Sequence, residues 1–352
     1  MIRARSAPLA GGFRVQRWTR VSMAFVAITL AVIVVLALVP FLFGADVDEQ
    51  LTVLLTFVIL AVMWNALAGY GGLISVGQQA FIGLGAYGTI FLTQHGFTPY
   101  LAMIIAGLGA GAVAVPVSFI MLRLRGGQFA IGMWVVAEVF GILVSLDSSL
   151  GGGTGVSLVG LNVFAPGYRQ AYTFWITLAC ATVLLGLVFF LLRRPIGTSL
   201  QAVRDDEEAA ASLGVNVARS KRVLFVVAAV GCGIAGALYL ANTLFIQTDS
   251  VFGVQWTAYM LFMVLVGGLG TFEGPIIGAV IFYLIQANFG NSGAWYFIGL
   301  GAVAIAFALF LPHGLWGAID RRLRLRLLPV GYTLRSRKPT VPAESEAAVD
   351  EG

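Results

Sequence analysis

Charge is absent from long stretches of the chain. Residues 21–43, 51–69, 100–122, 173–192, 223–246 and 294–311 hold no Asp, Glu, Lys or Arg. Each run is close to the ~20 residues that an α-helix needs to cross a hydrocarbon layer. The runs are continuously apolar rather than alternating, which predicts helices and excludes the period-two strands of a membrane barrel. Four further runs complete the pattern. Residues 78–94 begin beside glycines, 128–146 contain a single acid, Glu138, and 256–269 and 274–288 are shorter than a full span. The predicted fold class is therefore an all-α, polytopic integral membrane bundle.

The basic residues set its orientation, because short loops rich in Lys and Arg stay on the cytoplasmic side. Five Arg precede residue 21, so the N-terminus is placed inside. The first span then exits to the acidic loop Asp46, Asp48, Glu49, and alternate connections return to Arg123 and Arg125, to Arg193 and Arg194, and to the basic tail after Asp320. Three crossings after residue 247 satisfy this parity and make ten spans; one crossing plus a re-entrant pair also satisfies it and makes eight. The predicted organisation is a basic N-terminus (1–20), a transmembrane domain (21–316) with a cytoplasmic loop at 193–222, and a basic tail (317–352), expected to be disordered over 329–352 because it is rich in Pro, Arg and Glu. The first apolar run is longer than the core of a signal peptide and lacks a small-x-small site, so it reads as a retained span.

Composition agrees. The chain is 59% hydrophobic and 11% charged, far from the ~25% charge of soluble domains. Its net charge of +5 resides at the ends of apolar runs, where it meets anionic lipid headgroups and not nucleic acid. Cys180 and Cys232 lie inside apolar runs, and His95 and His313 at run ends; none has partners at ligand spacing, so neither a metal nor a cofactor is expected.

Glycines and polar residues interrupt two runs, at "GYGGLISVGQQAFIGLGAYG" (69–88) and "GGLGTFEGPIIGAV" (267–280). Irregular backbone at membrane depth is tolerated only where protein buries it or water lines it. Two readings stand: close helix packing through small residues, or paired broken helices framing a translocation path. On the second reading Ser75, Gln78, Gln79 and Thr271 are the candidate path residues. Glu138 joins them, since an intramembrane acid marks either function or an interhelical hydrogen bond; Glu273, beside a break, is a weaker candidate of the same kind.

The 193–222 loop carries six Lys or Arg and four consecutive acids, in "AVRDDEEAAASLGVNV". Asp205 or Asp206 can cap a short helix, Glu207 and Glu208 suit its first turn, Ala209 and Ala210 favour its body, and Gly214 can end it. Ala210 and Leu213 are expected on one face. Glu208-Ala209-Ala210, three residues, then Gly214 resembles the signature of the loop with which permeases of ABC importers dock on their ATPases. The wider stretches "IGTSLQAVRDDEEAAASLGVNVARSKRVLF", "GYGGLISVGQQAFIGLGAYG", "GGTGVSL" and "LVGGLGTFEGPIIGAV" resemble, in order over about residues 51–316, the permeases of branched-chain amino acid ABC transporters, the larger of their two permease types. Many relatives have His in the first motif where this chain has Gln78 or Gln79, so no imidazole role carries over.

The resemblance implies an importer permease of the bacterial inner membrane with both termini cytoplasmic. It would pair with a second ABC permease as a heterodimer, with two ABC ATPase subunits, and with a periplasmic amino-acid-binding protein touching 147–172 and 247–255. Arg204, Asp205, Asp206, Glu207, Glu208, Ala209, Ala210 and Gly214 match its ATPase-coupling loop. A phosphate-binding loop needs Gly-Lys-Ser/Thr; Lys221 follows Ser and Lys338 follows Arg, the only lysines present. Energy would come from other subunits, and no catalytic residue is expected. An ion-gradient-driven secondary transporter is the alternative: Glu138 and the broken helices fit it, but the 205–214 helix has no task there. A membrane enzyme ranks last, with one deep acid and no His or Cys constellation.

Overall fold

The computed structural model describes residues 13–16, 20–161, 165–311, 313–323 and 333–336. Ten apolar helices dominate them: α1 (Arg20–Leu42), α2 (Ala45–Asn65), α3 (Gln79–Gln94), α4 (Pro99–Met121), α5 (Gly127–Ser145), α6 (Pro166–Arg193), α9 (Val217–Thr243), α11 (Gln255–Gly267), α12 (Gly274–Phe289) and α13 (Ala294–Phe310). Two polar helices, α7 (Pro195–Asp205) and α8 (Glu207–Ser212), join α6 to α9; the short α10 (Thr248–Val251) precedes α11, and α14 (Gly314–Leu323) follows α13.

Successive apolar helices run in opposite directions. One end of the bundle collects the end of α4, α7, α8 and the start of α9, where Arg125 approaches Glu208 and Lys221 pairs with Glu207. The other end holds Asp46 and Asp48 in the first turn of α2, and Asp147 and Asp249 in the connections. Arg169, in the first turn of α6, is a basic residue at this acidic end. The last helices obey the same alternation. α12 starts beside Thr271, which is bonded to Asn65 at the basic end of α2, and ends where Gln286 and Ala287 share a cleft with Asp46, Glu49 and Gln50 at the other end. α13 then returns, because Gly314 after it packs against Gly268.

The core forms around α9, which lies against α2, α3 and α4. Glycines make this close approach possible: a Cβ at Gly236 or Gly85 would collide with the carbonyl oxygens of Ile82 and Gly233, respectively. Aromatic rings fill the space between helices, with Phe81 of α3 edge-on to Phe225 of α9 at 5.6 Å and Phe57 of α2 edge-on to Phe282 of α12 at 5.1 Å. At the acidic end β2 (Val156–Ser157) pairs antiparallel with β3 (Phe245–Ile246), and Leu158 N–H donates to Leu244 O at 2.8 Å. That pairing fastens the 146–161 segment to the α9–α10 connection.

Three element boundaries differ from the sequence expectation. The acids 46–49 are not a loop but the opening turns of α2, where anionic side chains suit the helix N-terminus. α6 begins at Pro166 rather than 173, since proline at the first position presets its backbone. The 193–222 connection contains α7 as well as the expected short helix; Pro195 starts it, and Gly197, Leu200 and Val203 form its buried stripe. Of the termini, β1 (Phe13–Gln16) pairs antiparallel with β4 (Thr333–Ser336); the rest of the expected 329–352 tail and residues 1–12 fall outside the described residues.

Candidate functional site

The acidic run folds as a capped turn of helix. Asp206 is extended, and its Oδ1 accepts from Glu208 N at 3.0 Å and Ala209 N at 2.9 Å, two of the donors that a helix start leaves unsatisfied. Gly214, at φ 84°, ends α8 and lets Val215 N–H return to Ala210 O at 3.1 Å. Glu207 pairs with Lys221 at 2.7 Å and so ties α8 to α9. The Glu208 side chain is 88% exposed, 3.9 Å from that of Arg125, itself 71% exposed, a contact that adds little in water.

Ala210 and Leu213 do not share a face. Ala210 is buried, whereas Leu213 is 84% exposed, because the helix ends at Ser212 and the capping residue leaves its stripe. The outward side of this turn therefore offers an acid, Glu208, and a bare leucine. Arg204 turns the other way: its Nη1 donates to Gly69 O at 2.8 Å, while Nε and Nη2 hold Asp205 Oδ1 at 2.9 and 2.8 Å.

Gly69 belongs to the first break. A π-helical turn (Ala66–Tyr70) ends α2, and irregular backbone follows to Gln78. Buried side chains satisfy that backbone, as they must away from water. Trp64 Nε1 donates to Ser75 O at 2.9 Å, Ser75 Oγ accepts from Gly77 N and Gln78 Nε2, and Gln79 Nε2 donates to Val76 O. Thr257 of α11 donates to Gln79 Oε1 at 2.7 Å. Ser75, Gln78 and Gln79 are fully buried. Gly77 presses against the backbone of Met133 in α5.

The second break, 268–273, has a different fastening. Thr271 Oγ1 donates to Gly268 O at 2.7 Å and accepts from Gly274 N at 3.2 Å, closing the turn into α12. Asn65, the last residue of α2, accepts from Gly270 N at 2.9 Å and donates to Thr271 O at 2.8 Å. Asn65 escaped the sequence reading. A lone amide at the end of an apolar run beside a break was the signal for it.

The structure thus brings Ser75, Gln78 and Gln79 together inside one break and sets Thr271 in the other, with Asn65 beside both. Glu138 lies apart, on the face of α5 opposite Met133. It is exposed together with Ile131, Val135, Val139 and Ile142, and its described partner is Trp134 Nε1, at 3.0 Å one turn away.

Residues 47–312 match the family described as "Branched-chain amino acid transport system / permease component". The chain is 28% identical to the high-affinity branched-chain amino acid transport system permease protein LivM of Escherichia coli (strain K12), over 84% of this chain and 76% of that one. It is 27% identical to the probable branched-chain amino acid transport permease protein LivM of Methanocaldococcus jannaschii, over 53% and 54%. The fructose import permease protein FrcC of Rhizobium meliloti is 26% identical over 61% and 63%.

Proposed function

The chain belongs to the family of permease components of branched-chain amino acid transport systems, and on that premise we propose that it is one transmembrane half of an ABC importer for leucine, isoleucine and valine. The observation that carries this reading is α8. A surface turn with its own cap and stop, pinned to α9 by Glu207–Lys221 and leaving Glu208 and Leu213 bare, suits a foot for another protein. Two ATPase subunits would seat on these feet, one on each permease, and supply the energy. The basic end is then cytoplasmic, with ten crossings and both termini inside the bacterial inner membrane; a periplasmic amino-acid-binding protein would meet the β2–β3 end of the bundle.

The second permease covers the outer face of α5. A carboxylate midway along a 19-residue apolar helix is expensive against lipid, so that face belongs against protein or in a wet path between two permeases. Glu138 lies on that path in this reading, and Ser75, Gln78, Gln79 and Thr271 shape the broken helices beside it. The substrate moves when ATP-driven closure shifts α8 and the helices attached to it. This needs the two access states to bind the ATPase differently.

Co-purification tests the reading. The wild-type complex is expected to retain both ATPase subunits, and Glu208→Arg, at matched expression, to lose most of them. Retention by neither, with leucine uptake following an ion gradient, would establish the secondary transporter instead. Competition for uptake by leucine, isoleucine, valine and fructose assigns the substrate class.

A further inference from the structure

We infer that Arg204 and Asn65 form a polar latch that makes the two helix breaks and the coupling segment move as one body. The inference rests on the importer reading for its purpose, but not for its geometry. The resemblance places Arg204 in the ATPase-coupling loop with the acidic run. Its guanidinium instead reaches into the bundle and donates to Gly69 O, 135 residues away in sequence. Peptide carbonyls in a π-helical turn have shifted or lost their usual helical partners, and this one is completed by a side chain from the coupling segment.

The contact continues directly into the second break. Gly69 lacks a side chain where one would meet Asn65 Oδ1 at 2.5 Å and Gly270 N at 2.6 Å. Gly270, held at φ 75°, places its own Cα side 3.3 Å from Gly69 O and 3.5 Å from Arg204 Nη1, measured from where a Cβ would stand. Asn65 then bonds both Gly270 N–H and Thr271 O. Within one small volume, therefore, α7 holds the first break by a charged hydrogen bond, and α2 holds the second by a paired amide. Gly72, at φ 67°, has no side chain where one would stand 3.3 Å from Arg204 Cγ, so the chain runs beside the arginine stem, whose side chain stays 37% exposed.

Charge-assisted hydrogen bonds are the stronger kind, and coupling between distant sites can travel through contiguous hydrogen-bond networks and rigid helices. A pull on α8 reaches Arg204 through Asp205 and Asp206. From there it enters Gly69, and through the Gly69–Gly270 contact and Asn65 it enters α12. Arg204 is in this account a positioning residue: it touches neither nucleotide nor substrate.

Two measurements test the latch. In proteoliposomes holding the whole complex, Arg204→Gln should retain the ATPase subunits yet lower leucine taken up per ATP hydrolysed by about tenfold. Arg204→Lys, which keeps the positive charge and a donor group but not the guanidinium fork, should recover part of the loss. Adding Asn65→Asp to Arg204→Gln should worsen the ratio little, because residues acting in one linkage are not additive. Unchanged stoichiometry in Arg204→Gln, or a loss matched by ATPase dissociation, overturns the proposal. The second measurement needs no ATPase. In the full-length chain in lipid nanodiscs, Arg204→Gln should speed amide hydrogen exchange in both 67–74 and 267–272. Faster exchange confined to 67–74 shows that the two breaks are not linked, whatever drives transport.

Discussion

α9 and α5 are both apolar crossings that contain glycines, yet they serve opposite ends. The bundle buries 72% of the most apolar window of α9 but only 22% of that of α5. The glycines of α9 face backbone and side chains of other helices: Gly231 meets Met63, Gly233 meets Gly107 and Ala110, and Gly236 meets Ile82. α5 packs one narrow face, through Phe129, Met133, Ala137 and Gly141, and leaves Glu138 outward. Close-packed small residues specify how this chain folds alone. On the proposed reading, the outward acid on an apolar helix marks the face that the second permease covers.

Substitutions break that contrast in order of size. Gly236→Val forces a branched side chain into a carbonyl and should cost at least ~3 kcal/mol, visible as loss of the monodisperse protein in detergent. Asn65→Leu leaves Gly270 N–H and Thr271 O without partners and should cost ~2 kcal/mol or more, read as a lowered thermal midpoint. Asp206→Ala removes the cap of α8 at ~1 kcal/mol; the bundle should melt nearly unchanged while ATPase capture falls. Glu138→Gln should shift stability by less than ~0.5 kcal/mol, since its side chain is exposed in the isolated chain, yet cut leucine uptake about tenfold. A large stability loss in Glu138→Gln would mean that the acid is structural and would erase the distinction between the two helices.

The apolar runs were legible because period and length suffice to place spans: the boundaries of α3, α5, α12 and α13 fall within a residue or so of the expected ones. The capped turn was legible too, since Asp206, Glu207, Glu208 and Gly214 are local signals. What sequence concealed was long-range. Gln79 meets Thr257 across 178 residues, and Asn65 meets Thr271 across 206. Such pairings depend on which helices become neighbours, and hydropathy carries no such information. Arg204 shows the same limit at one residue. Its neighbours fixed its place in the loop, but only the packed bundle fixed the direction of its guanidinium. Leu213 was misassigned for a smaller reason, as helical spacing was extended one residue past the last helical position.

The central claim is that this chain moves branched-chain amino acids at the expense of ATP hydrolysed by other subunits. It is tested most directly by uptake of labelled leucine into proteoliposomes containing the chain with its partner permease, both ATPases and the binding protein, in the presence of ionophores that collapse every ion gradient. The account predicts uptake that requires ATP on the α8 side and persists with the ionophores. Uptake that ignores ATP and vanishes with the gradient would contradict it.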